Sequence, residues 1–386
     1  MQNNRLMKKT NFISLCLLLT FSLLLLTSCN GKNNVGDLYW TDPPTAADTI
    51  YQNPIFEPVL ADPSYVSAID ENGAKWFYAY GTEDTWAQGI HRITPIIRSK
   101  NLVKWEYVAD AFSRESKPNW KSEGGLWAPQ IYNNSGTGGD GLFYLFYSYS
   151  KWADPNPGIG VARAKYPYGP FTDLGKILDT QSSGVGGAID QFYIKTGTGR
   201  NMKSYIFWGS FNGLWGQEIA SDMKTLLSTK FQIGGRGFEG IYIYEHGGKF
   251  WLFTSSNSCC EGPNTKYFLA ISVADNIKGP YRTKTGMDIK DINDFQAASA
   301  TKFLEGDGKV WIGPGHNGEI IQDDKGRYFM LYHAVSVAKP WLISEGGATR
   351  RPLLMDEIHW GADGWPYIEG GIPSSTRKTA PYFATE

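Results

Sequence analysis

The chain has 386 residues, 41% of them hydrophobic, with a formal net charge of −1. That length and apolar content exclude a disordered chain, and the balanced charge excludes both the basic footprint of a nucleic-acid binder and a long acidic tail. A neutral or nearly neutral ligand is expected, and a monomer is the simplest assembly. Aromatic residues reach 15%, with 14 Trp, 22 Tyr and 20 Phe, a content natural for β-sheet cores.

At the N-terminus, Arg5, Lys8 and Lys9 precede an apolar run from Phe12 to Leu26, followed by Thr27, Ser28 and Cys29. This charged, hydrophobic and small-residue order is that of a secretory signal covering 1–28. The run is shorter than the ~20 residues that a membrane span needs, which weighs against an anchor helix. Its end, LTSC, resembles a bacterial lipobox, which implies a lipid on Cys29 and an outer-membrane lipoprotein, with the side of the membrane left open. The stretch 29–50 is rich in Asn, Gly, Thr and Pro and reads as a flexible tether.

From residue 51 to 386 one motif recurs: KWFYAYGT, GLFYLFYSYS, SYIFWGSF, KFWLFTSS and RYFMLYHA. Each is an aromatic-rich strand introduced by a turn and ending in Ser, Thr, Gly or His. Five such runs predict an all-β, five-bladed β-propeller forming a single domain. The segments NLVKWEYV, YGPFTDLGKIL and KGPYRTKTGM follow further strand-like stretches and are expected to form outer strands. A β-sandwich is the structural alternative, because strands and turns alone do not fix closure.

Cys16 falls in the signal and Cys29 at the lipid site, leaving Cys259 and Cys260 in the mature body. No disulfide can then link distant segments. A vicinal disulfide and two reduced thiols are both open, and tetrahedral zinc is disfavoured because no CxxC-type pair exists.

Three acids stand where turns enter strand-like runs: Asp62 in LADPSYV, Asp190 in GGAIDQFY and Glu239 in RGFEGIYIY. Cleaving a glycosidic bond requires one protonated carboxylic acid and one ionised carboxylate, and a third acid nearby raises the donor's pKa. Each acid alone could be an ordinary turn residue.

With NPIFEPVLADPS, LWAPQIY, AIDQF, FEGIYIY and GPGHNGEI in this order, residues 53–366 resemble glycoside hydrolase family 43, five-bladed propeller enzymes that act on arabinan and xylan side chains. The resemblance implies that Asp62 is the general base, Asp190 the carboxylate that tunes and orients the acid, and Glu239 the general acid. It also implies inversion, with base and acid about 6.5 to 9.5 Å apart to admit a water. Two departures stand out: Gln191 and Ile241 occupy positions where the family commonly has Pro, which leaves the local backbone less determined.

By the same resemblance His316 would help to hold a hydrated cation, commonly Ca2+, near the acids. Because calcium prefers oxygen, waters would complete its shell, and a metal-free channel histidine is the alternative. His91, His246, His333 and His359 show no zinc spacing around it. Trp86 and Trp127 are candidate sugar platforms, and Trp208 and Trp215 could line the cleft from the third blade, with core packing as the alternative for all four. Arg350 or Arg351 could reach the acids, without a means of choosing between them.

The stretch FEGIYIYEHGGKFWLFTSSNSCCEG is most similar to the endo-acting arabinanases of the family. That implies hydrolysis of α-1,5-L-arabinofuranosidic links in arabinan, with an exo-acting arabinofuranosidase or a β-xylosidase as runner-up. The rival of another class is a non-catalytic glycan-binding surface lipoprotein. Such a protein is expected to have replaced at least one acid.

Overall fold

The computed structural model describes residues 49–384, apart from 71–72, 137 and 294–298. The signal, Cys29 and most of the tether lie outside the described residues. Ile50, placed in the tether by the sequence, is already paired: β1 (Ile50–Tyr51) joins the last strand of the chain.

Blade 1 contains β2 (Ser64–Ile69) and β3 (Lys75–Tyr80), then a separate hairpin of β4 (Asp84–Ala87) and β5 (Ile90–Arg92), then β6 (Pro95–Ser99) and β7 (Trp105–Asp110). Blade 2 is β8 (Gly125–Asn133), β9 (Phe143–Ser150), β10 (Gly158–Ala164) and β11 (Thr172–Asp179). Blade 3 is β12 (Phe192–Thr196), β13 (Lys203–Trp208), β14 (Leu214–Glu218) and β15 (Phe231–Gly234). Blade 4 is β16 (Glu239–His246), β17 (Lys249–Ser256), β18 (Phe268–Ala274) and β19 (Lys302–Leu304). Blade 5 is β20 (Trp311–Gly315), β21 (Ile320–Gln322), β22 (Tyr328–Ser336), β23 (Leu353–Trp360) and β24 (Pro366–Ile368), after which β25 (Lys378–Thr379) pairs with β1.

All strand pairs are antiparallel, and the five aromatic-rich runs become β3, β9, β13, β17 and β22, the second position of each blade. A strand in that position is covered on both faces, which is why it reads as a continuous apolar run. Two outer-strand expectations hold, in β7 and β11. The third does not: KGPYRTKTGM meets β18 only through the Val273–Arg282 bridge, turns back at Gly286, and leaves the outer edge of blade 4 to β19.

Between blades lie apolar layers rather than one central core. Leu145 and Tyr147 of blade 2 pack with Tyr78 and Ile96 of blade 1; Phe146 and Val161 pack with Tyr193 and Ile206 of blade 3; blades 3, 4 and 5 share a further cluster. Phe329 and Leu331 of blade 5 meet Phe77 and Trp105 of blade 1 and so close the ring. Closure of this kind excludes the sandwich.

The inner strands share a backbone device. Asp62, Ala128, Asp190, Gly240 and His316, one per blade, all have positive φ, between 42° and 62°. At four of the five junctions, the amide N–H of that residue is received by a polar side chain at or near the end of the second strand of the preceding blade. Thr82 Oγ1 accepts from Ala128, Ser148 Oγ from Asp190, Ser255 Oγ from His316, and His333 Nδ1 from Asp62, at 2.8 to 3.0 Å. This explains the Ser, Thr or His that ends the aromatic runs: it satisfies a buried donor that the turn removes from the sheet ladder.

Blades 5 and 1 are also tied by Glu319, which accepts from Ser64 Oγ at 2.8 Å and from the Tyr65 amide at 2.5 Å. Burial pushes this carboxyl up from its ordinary 4.5 to about 7, even against those two bonds. Because the folded value lies above the unfolded one, the group's contribution to stability is complete below pH ~4.5 and is lost as pH rises through ~7. Glu319→Gln keeps a neutral acceptor there. It is expected to match the wild type near pH 4.5 and to be more stable by about 3 kcal/mol at pH 8.5, read as a higher Tm at the alkaline pH only.

Candidate active site

Asp62 lies two residues before β2, Asp190 two before β12, and Glu239 opens β16. Each is no more than 8% exposed. The Gly240 amide donates to the Asp190 carboxyl, Asp190 responds to the charges of Glu239 and Asp62, and Glu239 responds to that of Asp62. Three blades thus bring their acids into one pocket, as the sequence predicted.

Asp62 is surrounded by donors. Arg351 Nη1 donates to Oδ1 at 3.0 Å and to Oδ2 at 3.3 Å, and Thr82 Oγ1 donates to Oδ2 at 2.6 Å. Burial alone would push this carboxyl up, but the Arg351 guanidinium above all, with the Thr82 hydroxyl, holds it well below the usual carboxylate range. It is therefore ionised at any working pH. Of the two candidate arginines the structure selects Arg351, since Arg350 pairs with Glu57.

The other two acids behave oppositely. Burial, then the charges of Glu239 and Asp62, push Asp190 well up. Burial also raises Glu239, opposed by hydroxyls donated from Ser210 to Oε2 and from Tyr267 to Oε1, each at 2.6 Å. Two carboxyls so close titrate as a pair, and the pair retains a proton where Asp62 has none. One pocket thus sets a carboxylate held down by donors beside a pair pushed up by burial and like charge.

The absence of Pro after Asp190 does not loosen its backbone. Gln191 accepts from Ser148 Oγ at 2.8 Å and donates to the Ala128 carbonyl, while Gln130 donates to the Tyr193 carbonyl at 2.9 Å. Side-chain bonds between blades 2 and 3 do the work that a fixed φ would have done.

Two imidazoles flank Asp62. His333, missed by the sequence reading, is wholly buried, and its Nδ1 accepts the Asp62 amide; burial and Arg351 hold the ring far below its ordinary pKa. Its 3.4 Å approach to Asp62 Oδ1 is therefore no ion pair. Tyr267 lies parallel to it, with centroids 6.0 Å apart. His316 is likewise held neutral, chiefly by burial, and its Nδ1 stands 3.3 Å from Asp62 Oδ1. A lone pair facing a carboxylate would be repelled, which assigns the proton to Nδ1 and the lone pair to Nε2. That leaves a ring nitrogen able to ligate a cation. Among the described residues, no group of three or more His, Cys, Asp or Glu forms a metal cage, so water would have to complete any shell on His316.

The aromatic predictions divide. Trp86 is 2% exposed, set edge-on between Phe56 and Tyr107, and Trp208 is fully buried between blades 2 and 3. Both are core residues and not sugar platforms; each lies on the strand face that alternation turns inward. Trp127 is half-buried with its ring 5.7 Å from Trp152, which is 75% exposed and was not singled out from sequence. Trp215 is half-buried over Lys230.

Cys259 and Cys260 form a vicinal disulfide in the loop from β17 to β18 that ends at Tyr267. At Gly262 in this loop φ is +55°, and a Cβ would lie 2.2 Å from Trp341, so only glycine fits. A fourth acid, Asp84, lies at the start of β4. It is raised by burial and responds to Arg351 and Asp62.

A propeller that gathers carboxyls of unlike setting in one pocket has the arrangement that a glycoside hydrolase uses. Residues 51–366 match the family model for glycosyl hydrolases family 43, and the chain belongs to that family. Among curated relatives, it is 28% identical over 306 residues to the extracellular exo-α-(1→5)-L-arabinofuranosidase ArbA of Cellvibrio japonicus, covering 71% of this chain and 80% of that protein. It is 25% identical over 322 residues to the extracellular endo-α-(1→5)-L-arabinanase 1 of Bacillus subtilis, covering 80% and 87%. Among solved structures, the Cellvibrio cellulosa α-L-arabinanase complexed with arabinohexaose superposes with a TM-score of 0.64 at 25% identity, covering 82% of this chain and 99% of that one.

Proposed function

We propose that the enzyme hydrolyses α-1,5-L-arabinofuranosidic links in arabinan with inversion, cleaving internal bonds. Asp62 acts as general base, Glu239 as general acid, and Asp190 as the carboxylate that keeps the acid protonated. The observation that carries this reading is the convergence of three buried acids in unlike settings: Asp62 against the Arg351 guanidinium and the Thr82 hydroxyl, and Glu239 beside Asp190 with the Ser210 and Tyr267 hydroxyls on its carboxyl. In the reaction, Glu239 gives its proton to the departing sugar oxygen as the glycosidic bond breaks. Asp62 takes a proton from the attacking water, so the two carboxyls exchange protonation states and are reset through solvent. Arg351 fixes the orientation of the base, and the neutral dipole of His333 holds the backbone amide beneath it.

The relatives' arabinan chemistry supports the substrate, and the Arg351 guanidinium is already engaged by Asp62, which suits a neutral polymer. Trp127 is proposed to line the sugar cleft. A hydrated Ca2+ on His316 would add positive charge near the acids. Export as a lipoprotein anchored through Cys29 belongs to the same proposal, supported by the signal order in the sequence. The test is product analysis on linear arabinan, branched arabinan and xylan, with and without EDTA. A ladder of arabino-oligosaccharides is expected; arabinose alone would make the enzyme exo-acting, xylose alone would overturn the substrate, and unchanged rates in EDTA would remove the cation.

A further inference from the structure

The capping pattern of the inner strands is broken once, and the break falls at the general acid. At four junctions a side chain at or near the end of a second strand receives the next blade's turn amide. Between blades 3 and 4 the corresponding amide, that of Gly240, goes instead to the Asp190 carboxyl. Ser210, which follows the end of β13, is thereby released from the structural duty that Thr82, Ser148, Ser255 and His333 perform. Its hydroxyl turns to Glu239 Oε2 at 2.6 Å, opposite the Tyr267 hydroxyl on Oε1.

We propose that Ser210 is a positioning residue for the general acid, a hydroxyl diverted from blade closure to hold the Glu239 carboxyl and to receive the charge that grows on it during proton transfer. This rests on the assignment of Glu239 as proton donor. As the Glu239 O–H bond breaks and the proton moves to the glycosidic oxygen, the electron pair stays on the carboxyl. While the acid's own O–H points at the glycosidic oxygen, its remaining lone pairs still accept from both hydroxyls, and the bonds that Ser210 and Tyr267 donate strengthen as the charge grows on the carboxyl. The backbone keeps Ser210 in place: its amide donates to the Gly187 carbonyl at 3.2 Å, its carbonyl accepts from Asn212, and the Phe211 amide donates across the junction to the Phe238 carbonyl. The groups facing Glu239 are therefore Ser210, Tyr267, Asp62, Asp190 and Arg351, and of these Ser210 can be altered without changing a charge or an aromatic layer.

The test is the pH dependence of kcat/KM for Ser210→Ala, on linear arabinan and on an aryl α-1,5-arabinobioside with a 4-nitrophenyl leaving group. Losing a donor to the ionised form raises the acid's pKa, so the alkaline limb is expected to move up by about one pH unit. Below that limb, turnover of arabinan is expected to fall about 10-fold and turnover of the aryl substrate by less than 2-fold, because the aryl group leaves with little protonation. Ser210→Thr, which keeps a hydroxyl, should restore both the limb and the rate. An unmoved limb in Ser210→Ala, equal losses on the two substrates, or a threonine variant as poor as alanine would each overturn the proposal. Should Ser210→Ala fail to fold, Tyr267→Phe removes the opposite hydroxyl and is read for the same upward movement. Failure here leaves Glu239 as the acid; that assignment falls if Glu239→Gln keeps turnover of arabinan within a factor of ten of wild type.

Discussion

Glu239→Gln is expected to lower turnover of arabinan about 10³-fold, within the range that a positioned general acid supplies. The amide preserves the shape and can still accept from Tyr267 and meet the Ser210 hydroxyl, so the pocket should remain intact and oligosaccharide binding should be retained. Only the proton is missing. The loss should shrink by at least tenfold on an aryl arabinoside, whose leaving group needs little help. Steady-state kinetics on both substrates, with calorimetric binding of arabino-oligosaccharide to the variant, checks this. Turnover of arabinan within a factor of ten of wild type would remove Glu239 from the mechanism.

Asp62→Asn is expected to lower turnover about 10⁴-fold on every substrate, whatever the leaving group, because no group remains to take a proton from water. The variant would keep the Thr82 and His333 contacts but leave the Arg351 guanidinium without its ion-pair partner in a buried setting. A lower Tm is therefore expected as well, in contrast to Glu239→Gln. Asp62 is also one of the charges that raise the other two carboxyls, so any residual activity should lose its alkaline limb at a lower pH than in the wild type. A tenfold or greater rescue of Asp62→Asn by the aryl substrate would argue that Asp62 is not the base.

The blades were legible because the second strand of each is enclosed on both sides, and its aromatic run carries that enclosure in plain residues. The three acids were legible through the resemblance of the motifs that carry them, LADPSYV, AIDQF and FEGIYIY, to family 43. Several residues that complete the pocket were not. Thr82, Ser210 and Tyr267 are common residue types whose roles arise only from junctions between blades. His333 ends an aromatic run like the other capping residues, and that shared position was the available signal. Trp86 and Trp208 were misread because an aromatic beside a turn looks the same in sequence whether its ring faces a cleft or a neighbouring sheet. The outer edge of blade 4 was misplaced for a related reason: one bridge at Val273 does not extend into a strand once Gly286 reverses the chain.

Five axial residues with left-handed backbone geometry have a chemical consequence. Among side chains other than hydrogen, Asp and Asn enter that geometry at the least cost, since their short polar groups bond locally. A ring that must place one such residue per repeat around a narrow well is thereby predisposed to fill the well with acids and amides. Two of the five places are aspartates, and the glycine at a third sits beside the glutamate. The scaffold's stereochemistry thus favours acidic chemistry before any selection for catalysis, and the same ring could exchange one hydrolytic task for another by changing axial side chains while its amide caps stay unaltered.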